Sequence, residues 1–225
     1  MAVRAHGVLG SGPLVLLVRH GISVANVHKD QFGGDTAHAR FRDACLSPAG
    51  RRQAEDLSCP IAAFSPDLIL VSPLRRTLQT VLHALEAAPH APPIVAFPFL
   101  FEAAGEGTEN DGREVGEIAT DPELPCFVHW PRVDLSQVPE GAWWEEERRR
   151  NLERGGRKRQ AEDIAAWVTG RREQRIAIFT HWGTIEAVSG RGVSNGGPAI
   201  EYVFATPEMG VSSRKWAWTH VRKRD

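Results

Sequence analysis

Three short apolar runs, each ending in residues that can do chemistry, constrain this chain more than any other feature. Residues 14–18 (Leu-Val-Leu-Leu-Val) run into Arg19 and His20, residues 68–71 (Leu-Ile-Leu-Val) into Ser72, and residues 176–179 (Ile-Ala-Ile-Phe) into Thr180 and His181. None of the three alternates apolar with polar, so each reads as a strand covered on both faces, the pattern of a parallel sheet. A further strand is expected at residues 94–97, and late strands at 202–204 and 216–221. Helical signals lie between them. Ser47-Pro48 reads as an N-cap with proline at the first helical position, opening a helix through Gln53, Ala54 and Leu57 that ends before Pro60. Ser72-Pro73 repeats that pair. Leu74, Leu78, Val81, Leu82 and Leu85 then fall on one helix face, stopped by Pro89. Residues 145–168 read as helix, broken at Gly155-Gly156, with Gly170 beyond its end. Strands alternating with helices predict an α/β fold with a mostly parallel central sheet and helices on both faces.

The 225 residues suit one domain, with residues 1–12 a loose leader. Residues 98–145 hold Pro98, Pro122, Pro125, Pro131 and Pro139 with interspersed glycines. A stretch this long without periodicity serves a function or carries small elements of its own, and residues 98–145 are expected to form a small inserted cap and substrate-specificity segment. Hydrophobic residues at 42% and charged residues at 24% exclude a disordered polymer, a collagen-like repeat and a coiled coil. A formal net charge of −1 gives no bulk attraction to nucleic acid or a membrane surface. Cys45, Cys59 and Cys126 form no C-x-x-C pair, which argues against a disulfide scaffold or thiolate zinc site. The longest apolar run is far short of the roughly 20 residues that span a bilayer, and no cleavage site follows it. The cytoplasm is therefore the default location, and a monomer or homodimer the expected state. The basic stretch 148–159 follows Glu145-Glu146-Glu147, and pairs such as Glu145 with Arg149 make it a solvated helix face.

The chemistry concentrates at the strand ends, where ligands collect in such folds. Arg19 offers a planar fork of donors for a phosphate, and His20 a nucleophile toward phosphorus if one ring nitrogen stays unprotonated. Gly21 lets the chain turn away, and Asn26 adds a neutral donor. His181, followed by Trp182 and Gly183, is a second histidine in an equivalent setting. Two histidines and two arginines make a cationic pocket suited to a dianion.

These stretches together resemble the histidine phosphatase superfamily, also called phosphoglycerate mutase-like. Arg19-His20-Gly21-Ile22-Ser23-Val24-Ala25-Asn26 matches its signature at every fixed position. Leu46-Ser47-Pro48-Ala49-Gly50 is similar to its second motif, and Ser72-Pro73-Leu74-Arg75-Arg76 with Thr80 to its third, which selects Arg76 over Arg75 for the pocket. Phe101-Glu102 falls where the family carries its acid, and Thr180-His181-Trp182-Gly183 resembles the second-histidine motif. Leu135-Ser136-Gln137-Val138-Pro139-Glu140-Gly141 is similar to plant and fungal members. The resemblance implies catalysis by His20, Glu102 and His181, with phosphate held by Arg19, Asn26 and Arg76. Glu106, Glu109 and Asp111 share the irregular stretch with Glu102 as other acids. Ser23, His28, Trp143, Trp182 and Gly183 are candidate pocket residues, with His38 beside His28. Phe127, Trp130, Trp143 and Trp144 either wall a ring-bearing substrate or close the core of the cap.

The implied activity is a phosphatase acting on a small phosphorylated metabolite through a phosphohistidine, with no metal or other cofactor. Mutases of the family follow their acid with Arg-x-Tyr-Gly, whereas Ala103-Ala104-Gly105 follows Glu102. They also carry paired arginines in the insert, where residues 104–131 offer only Arg113. A phosphoglycerate mutase-type transferase, or a repurposed non-catalytic phosphate-binding module, are the alternatives on the same fold.

Overall fold

A computed structural model describes residues 13–33, 39–102 and 107–190, and by backbone alone 200–207 and 216–220. The expected leader, His38, Glu106, Ala103-Ala104-Gly105 and Val221 lie outside the described residues. Strands β1 (Leu14–Arg19), β2 (Leu68–Val71), β3 (Ile94–Ala96), β4 (Val133–Asp134) and β5 (Arg175–Thr180) run parallel. The late strands β6 (Ile200–Pro207) and β7 (Trp216–His220) join antiparallel beyond β1. Across the sheet the order is β4-β3-β2-β5-β1-β6-β7, so β5 lies between β1 and β2. The fold is the mostly parallel α/β sheet that the apolar runs predict.

Residue parity explains why those runs do not alternate in polarity. Val15, Leu17, Leu68, Leu70, Ile176 and Ile178 share one core cluster with Ile164, Val168, Ile185 and Val188. The last four come from α7 (Gly156–Thr169) and α8 (Trp182–Ser189). Leu16, Val18, Ile69, Val71, Ala177 and Phe179 share the opposite cluster with Ile61, Phe64, Leu78 and Leu82. These belong to α3 (Ser58–Phe64) and α4 (Arg75–Leu85). The buried positions of the three apolar runs each meet a helix layer, and burying each Val, Leu or Ile contributes about 1.5–3 kcal/mol.

Several boundaries differ from expectation. Helix α2 (Pro48–Glu55) has the expected cap, with Ser47 Oγ accepting from Gly50 N at 3.1 Å. It stops at Glu55, and α3 then takes Pro60 into its first turn, where a missing N–H breaks no helical bond. Helix α4 starts at Arg75 rather than after Ser72. Ser72 N still bonds Phe179 O at 3.0 Å, so the chain stays extended until the N-cap, Leu74. The long helical stretch breaks as expected, into α6 (Trp143–Leu152) and α7 with Gly155 at a left-handed φ of 78°, but it begins two residues early, at Trp143. Arg149 pairs with Glu146 and Glu153, not with Glu145.

The insert, residues 98–145, is built of short 3-10 turns, α5 (Val115–Ala119) and β4 at the sheet edge. Its Ile118, Leu124 and Val138 join the α4-side core. Ion pairs fix its root. Buried Asp43 accepts from Arg113 Nε at 2.7 Å and from Arg75 N, at the start of α4, at 2.7 Å. Arg113 Nη1 also reaches Asp121 at 2.6 Å. Burial pushes the Asp43 carboxyl up, and the Arg113 guanidinium opposes that shift. Among the described residues, no helix is long and apolar enough to cross a membrane.

Candidate active site

The sheet ladder continues past the strand ends and sets the histidines level with each other. His20 N bonds Thr180 O at 3.0 Å on one side of β5, as Ser72 N bonds Phe179 O on the other. The imidazoles of His20 and His181 lie 5.1 Å apart, edge to face at 61°. Both are buried, at 5% and 0% exposure.

Hydrogen bonds assign the His20 tautomer. Nδ1 lies 2.7 Å from the Gly21 carbonyl, which can only accept, so Nδ1 carries the proton. Nε2 is left with its lone pair, 3.2 Å from Arg76 Nε–H. Burial, reinforced by Arg76 and Arg19, holds the ring well below the ordinary imidazole value. His181 is neutral for the same reasons, burial first and then Arg76. Its Nε2–H donates to Ser72 Oγ at 2.8 Å, and its Nδ1 accepts from Arg76 Nη2 at 3.1 Å.

Arg76 is the cation at the centre, 3% exposed. Arg19 ends β1, in register with Thr180. Burial lowers both guanidiniums from their ordinary value, and Glu102 is the carboxylate that counters this most in each. Glu102 therefore sits in the field of both arginines, and its Oε1 accepts from Gly183 N, in the first turn of α8, at 2.9 Å. The chain leading to it is pinned. Thr180 Oγ1 donates to Leu100 O at 2.8 Å, Thr184 Oγ1 to Phe101 O at 2.6 Å, and Gln160 Nε2 to Phe99 O and Phe101 O at 2.9 and 2.8 Å.

Asn26 stands at the third position of α1 (Val24–Phe32). Its Oδ1 accepts from Ser23 N and Ser23 Oγ, at 3.0 and 2.9 Å, in a capping box. That leaves the amide NH2 as what Asn26 can offer a ligand, a donor suited to an anion. Ser23 is corrected from pocket residue to helix cap, its hydroxyl spent on Asn26. Trp143 is corrected too. It is 4% exposed, edge-on to Phe101 and Trp144, with its N–H on Arg113 O, and so belongs to the core beneath the insert. Trp182 packs on the α7–α8 core and Gly183 holds Glu102. His28 lies against Phe32 and Phe41, its ring tilted to each, and lines an open cleft of about 550 Å³ beside α1. Glu109 pairs with Lys29, and Asp111 with Arg148.

Gly21 has another role than the expected turn. A Cβ there would lie 2.4 Å from Gly50 O, and a Cβ on Gly50 would lie 2.1 Å from Ile22 O. The two glycines let the loop after β1 seat directly on the start of α2. Gly21 N is held by Thr80 Oγ1 at 3.1 Å, whose own hydrogen goes to Arg76 O at 2.6 Å. Thr80 was legible only as a motif letter and Ser72 as a strand-end residue and helix cap; their partners, 59 and 109 residues away in sequence, gave no local signal. Among the described residues, no group of three or more His, Cys, Asp or Glu is placed to hold a metal ion.

The depressed histidines have a consequence for stability. Below about pH 6.5 the unfolded chain binds protons that folded His20 and His181 refuse. Their contribution is complete above that pH and is lost as the pH falls, by at most about 1.4 kcal/mol per unit for each histidine. Urea midpoints taken at roughly pH 7.5, 6 and 5 should fall steadily, and His181→Asn should flatten the slope. A wild-type midpoint that does not change over this range would show that both rings titrate freely.

Buried imidazoles and guanidiniums gathered at the carboxyl ends of parallel strands make this an α/β protein built to handle an oxyanion. The histidine phosphatase superfamily (branch 1) model matches residues 15–198, and the chain belongs to that superfamily, whose chemistry is phosphoryl hydrolysis or transfer. A phosphoglycerate mutase-like protein of Arabidopsis thaliana is 24% identical over 199 residues, covering 76% of this chain and 72% of that one. A plant relative agrees with the likeness of the 135–141 stretch to plant and fungal members. Among solved structures, ecdysone phosphate phosphatase of Bombix mori has a TM-score of 0.54 at 16% identity, covering 90% of this chain and 97% of that one. Mycobacterial glucosyl-3-phosphoglycerate phosphatase has 0.51 at 17%, covering 93% and 97%. These structures share the fold.

Proposed function

We infer that the chain is a metal-independent phosphomonoester hydrolase for a small phosphorylated metabolite, working through a phosphohistidine at His20. The observation that carries this is the His20 tautomer, with Nδ1–H tied to Gly21 O and the Nε2 lone pair facing Arg76. The phosphomonoester lies among Arg19, Arg76, Asn26 and His181. Nε2 attacks phosphorus in line and forms the P–N bond while the ester P–O bond breaks. Protonated Glu102 gives its proton to the leaving alkoxide. As carboxylate it then takes a proton from water, whose oxygen forms the new P–O bond as P–N breaks, releasing phosphate and neutral His20. Arg19 and Arg76 supply the positive charge that a metal supplies elsewhere.

The Bombix mori structure holds tungstate and the mycobacterial one VO3, oxyanions of the kind this reading places among the arginines and histidines. Hydrolysis is favoured over a mutase because Arg113 is already committed to Asp43 and Asp121, which leaves it unsuited to gripping a substrate carboxylate. Release of phosphate from an aryl phosphate, with and without a chelator, tests the reading. Turnover should be unchanged by chelator, and a brief quench should trap phosphate on protein in an acid-labile, alkali-stable form. Loss of turnover on chelation, or no turnover by folded protein on an aryl phosphate and a panel of phosphometabolites, would overturn it.

A further inference from the structure

The two edges of the Arg76 guanidinium face different parts of the protein. Its side edge, Nε and Nη2, points at the two histidine nitrogens, His20 Nε2 at 3.2 Å and His181 Nδ1 at 3.1 Å. Its end edge, Nη1 and Nη2, is gripped by the insert: Nη1 donates to Glu109 O at 2.6 Å and Nη2 to Asn110 Oδ1 at 2.7 Å. The contacts on the insert edge are short and go to oxygen. Those on the histidine edge are longer and go to ring lone pairs that a phosphoryl group displaces.

The gripping segment is itself held firmly. Glu109 and Asn110 are 6% and 2% exposed. The Glu109 carboxylate pairs with Lys29 on α1, and Asp111 with Arg148 on α6. Gly112 lies against Trp143 and Trp144, where a Cβ would come within 2.7 Å of the Trp143 ring. An arginine side chain has many rotamers, and a fork is useful only when aimed. Fixing one edge with two protein oxygens leaves the other edge presented, bidentate, between the histidines.

We propose that Asn110, with the Glu109 carbonyl, is a positioning residue that aims the side edge of Arg76 at the transferring phosphoryl group. The insert thus completes the phosphate site from outside as well as bordering the substrate. The proposal rests on the phosphatase reading, and its test separates the two. Affinity for inorganic phosphate is measured by calorimetry on the full chain, alongside aryl phosphate kinetics, for wild type, Asn110→Ala, Arg76→Lys and the double variant. Asn110→Ala should weaken phosphate about tenfold and lower kcat/KM at least as much, the loss of one charge-assisted bond. Arg76→Lys should weaken it further, and the double variant should match Arg76→Lys within about twofold, because Asn110 acts only through the fork.

Asn110→Asp is the second variant. It keeps an acceptor for Arg76 at nearly the same size, so it folds, but its charge opposes the dianion and phosphate should again bind at least about tenfold more weakly. Phosphate affinity unchanged in either Asn110 variant, or additive losses in the double variant, would overturn the proposal while wild-type turnover leaves the phosphatase reading intact. A wild type that binds no phosphate overturns both.

Discussion

His20→Ala is expected to lower kcat on an aryl phosphate by about 10⁴-fold or more while leaving phosphate affinity within about tenfold of wild type. The asymmetry follows from the hydrogen bonds. His20 donates its only N–H to Gly21 O, so toward a bound phosphoryl group it has a lone pair to give and no proton. On the proposed mechanism it attacks phosphorus, whereas Arg19, Arg76 and Asn26 bind the phosphate, and these remain in the variant. Steady-state kinetics and calorimetry on the same preparation check both halves. A variant that retained a tenth of the wild-type rate would remove His20 as nucleophile and turn attention to His181 or to direct attack by water.

The second large effect is structural. Gly50→Ala should cost about 3–5 kcal/mol, although the same change elsewhere in a helix gains about 1 kcal/mol. The new Cβ would sit 2.1 Å from Ile22 O. That carbonyl cannot retreat, because it accepts from both Ser47 N and Ser47 Oγ, at 2.9 Å each. Ile22 N is tied to Gln53 Oε1 at 3.0 Å. Relief requires prising the loop after β1 away from α2, and that loop carries the backbone of Gly21 that holds His20 Nδ1. Urea unfolding measures the loss. A variant as stable as wild type would mean the contact opens at little cost.

What the sequence reveals of the site follows from what is local. His20, Arg19 and His181 are legible because each ends an apolar run, and a strand end in a parallel sheet is where a polar side chain meets a ligand. Arg76 needed the family pattern, since Arg75 beside it has the same chemistry and differs only in which way the first turn of α4 points. Arg75 is given over to Asp121 instead. Asn110 had no signal at all. Its importance comes from a bond to a residue 34 positions earlier, across a segment with no periodicity to fix its path. Trp143 stayed open between two readings for a related reason: an aromatic side chain can wall a pocket or fill a core, and the choice depends on Phe101 and Gly112 meeting it in space. The start of α4 was misjudged because the ladder bond from Ser72 N to Phe179 O outweighs the local preference of Ser-Pro to begin a helix.

The position of β5 between β1 and β2 also bears on how the molecule is made. The ribosome delivers β1 and β2 early, yet neither pairs with the other; β2 can pair with β3, but the two are joined only by residues 175–180. Until residues 175–180 emerge, the nascent chain carries the apolar runs 14–18 and 68–71 with an open gap where the middle of the sheet belongs. Pairing over such sequence separations is slow and leaves strand edges open to wrong partners. His181 arrives with the strand that closes that gap. The same event that shields the nascent chain from aggregation thus brings the second histidine beside the first.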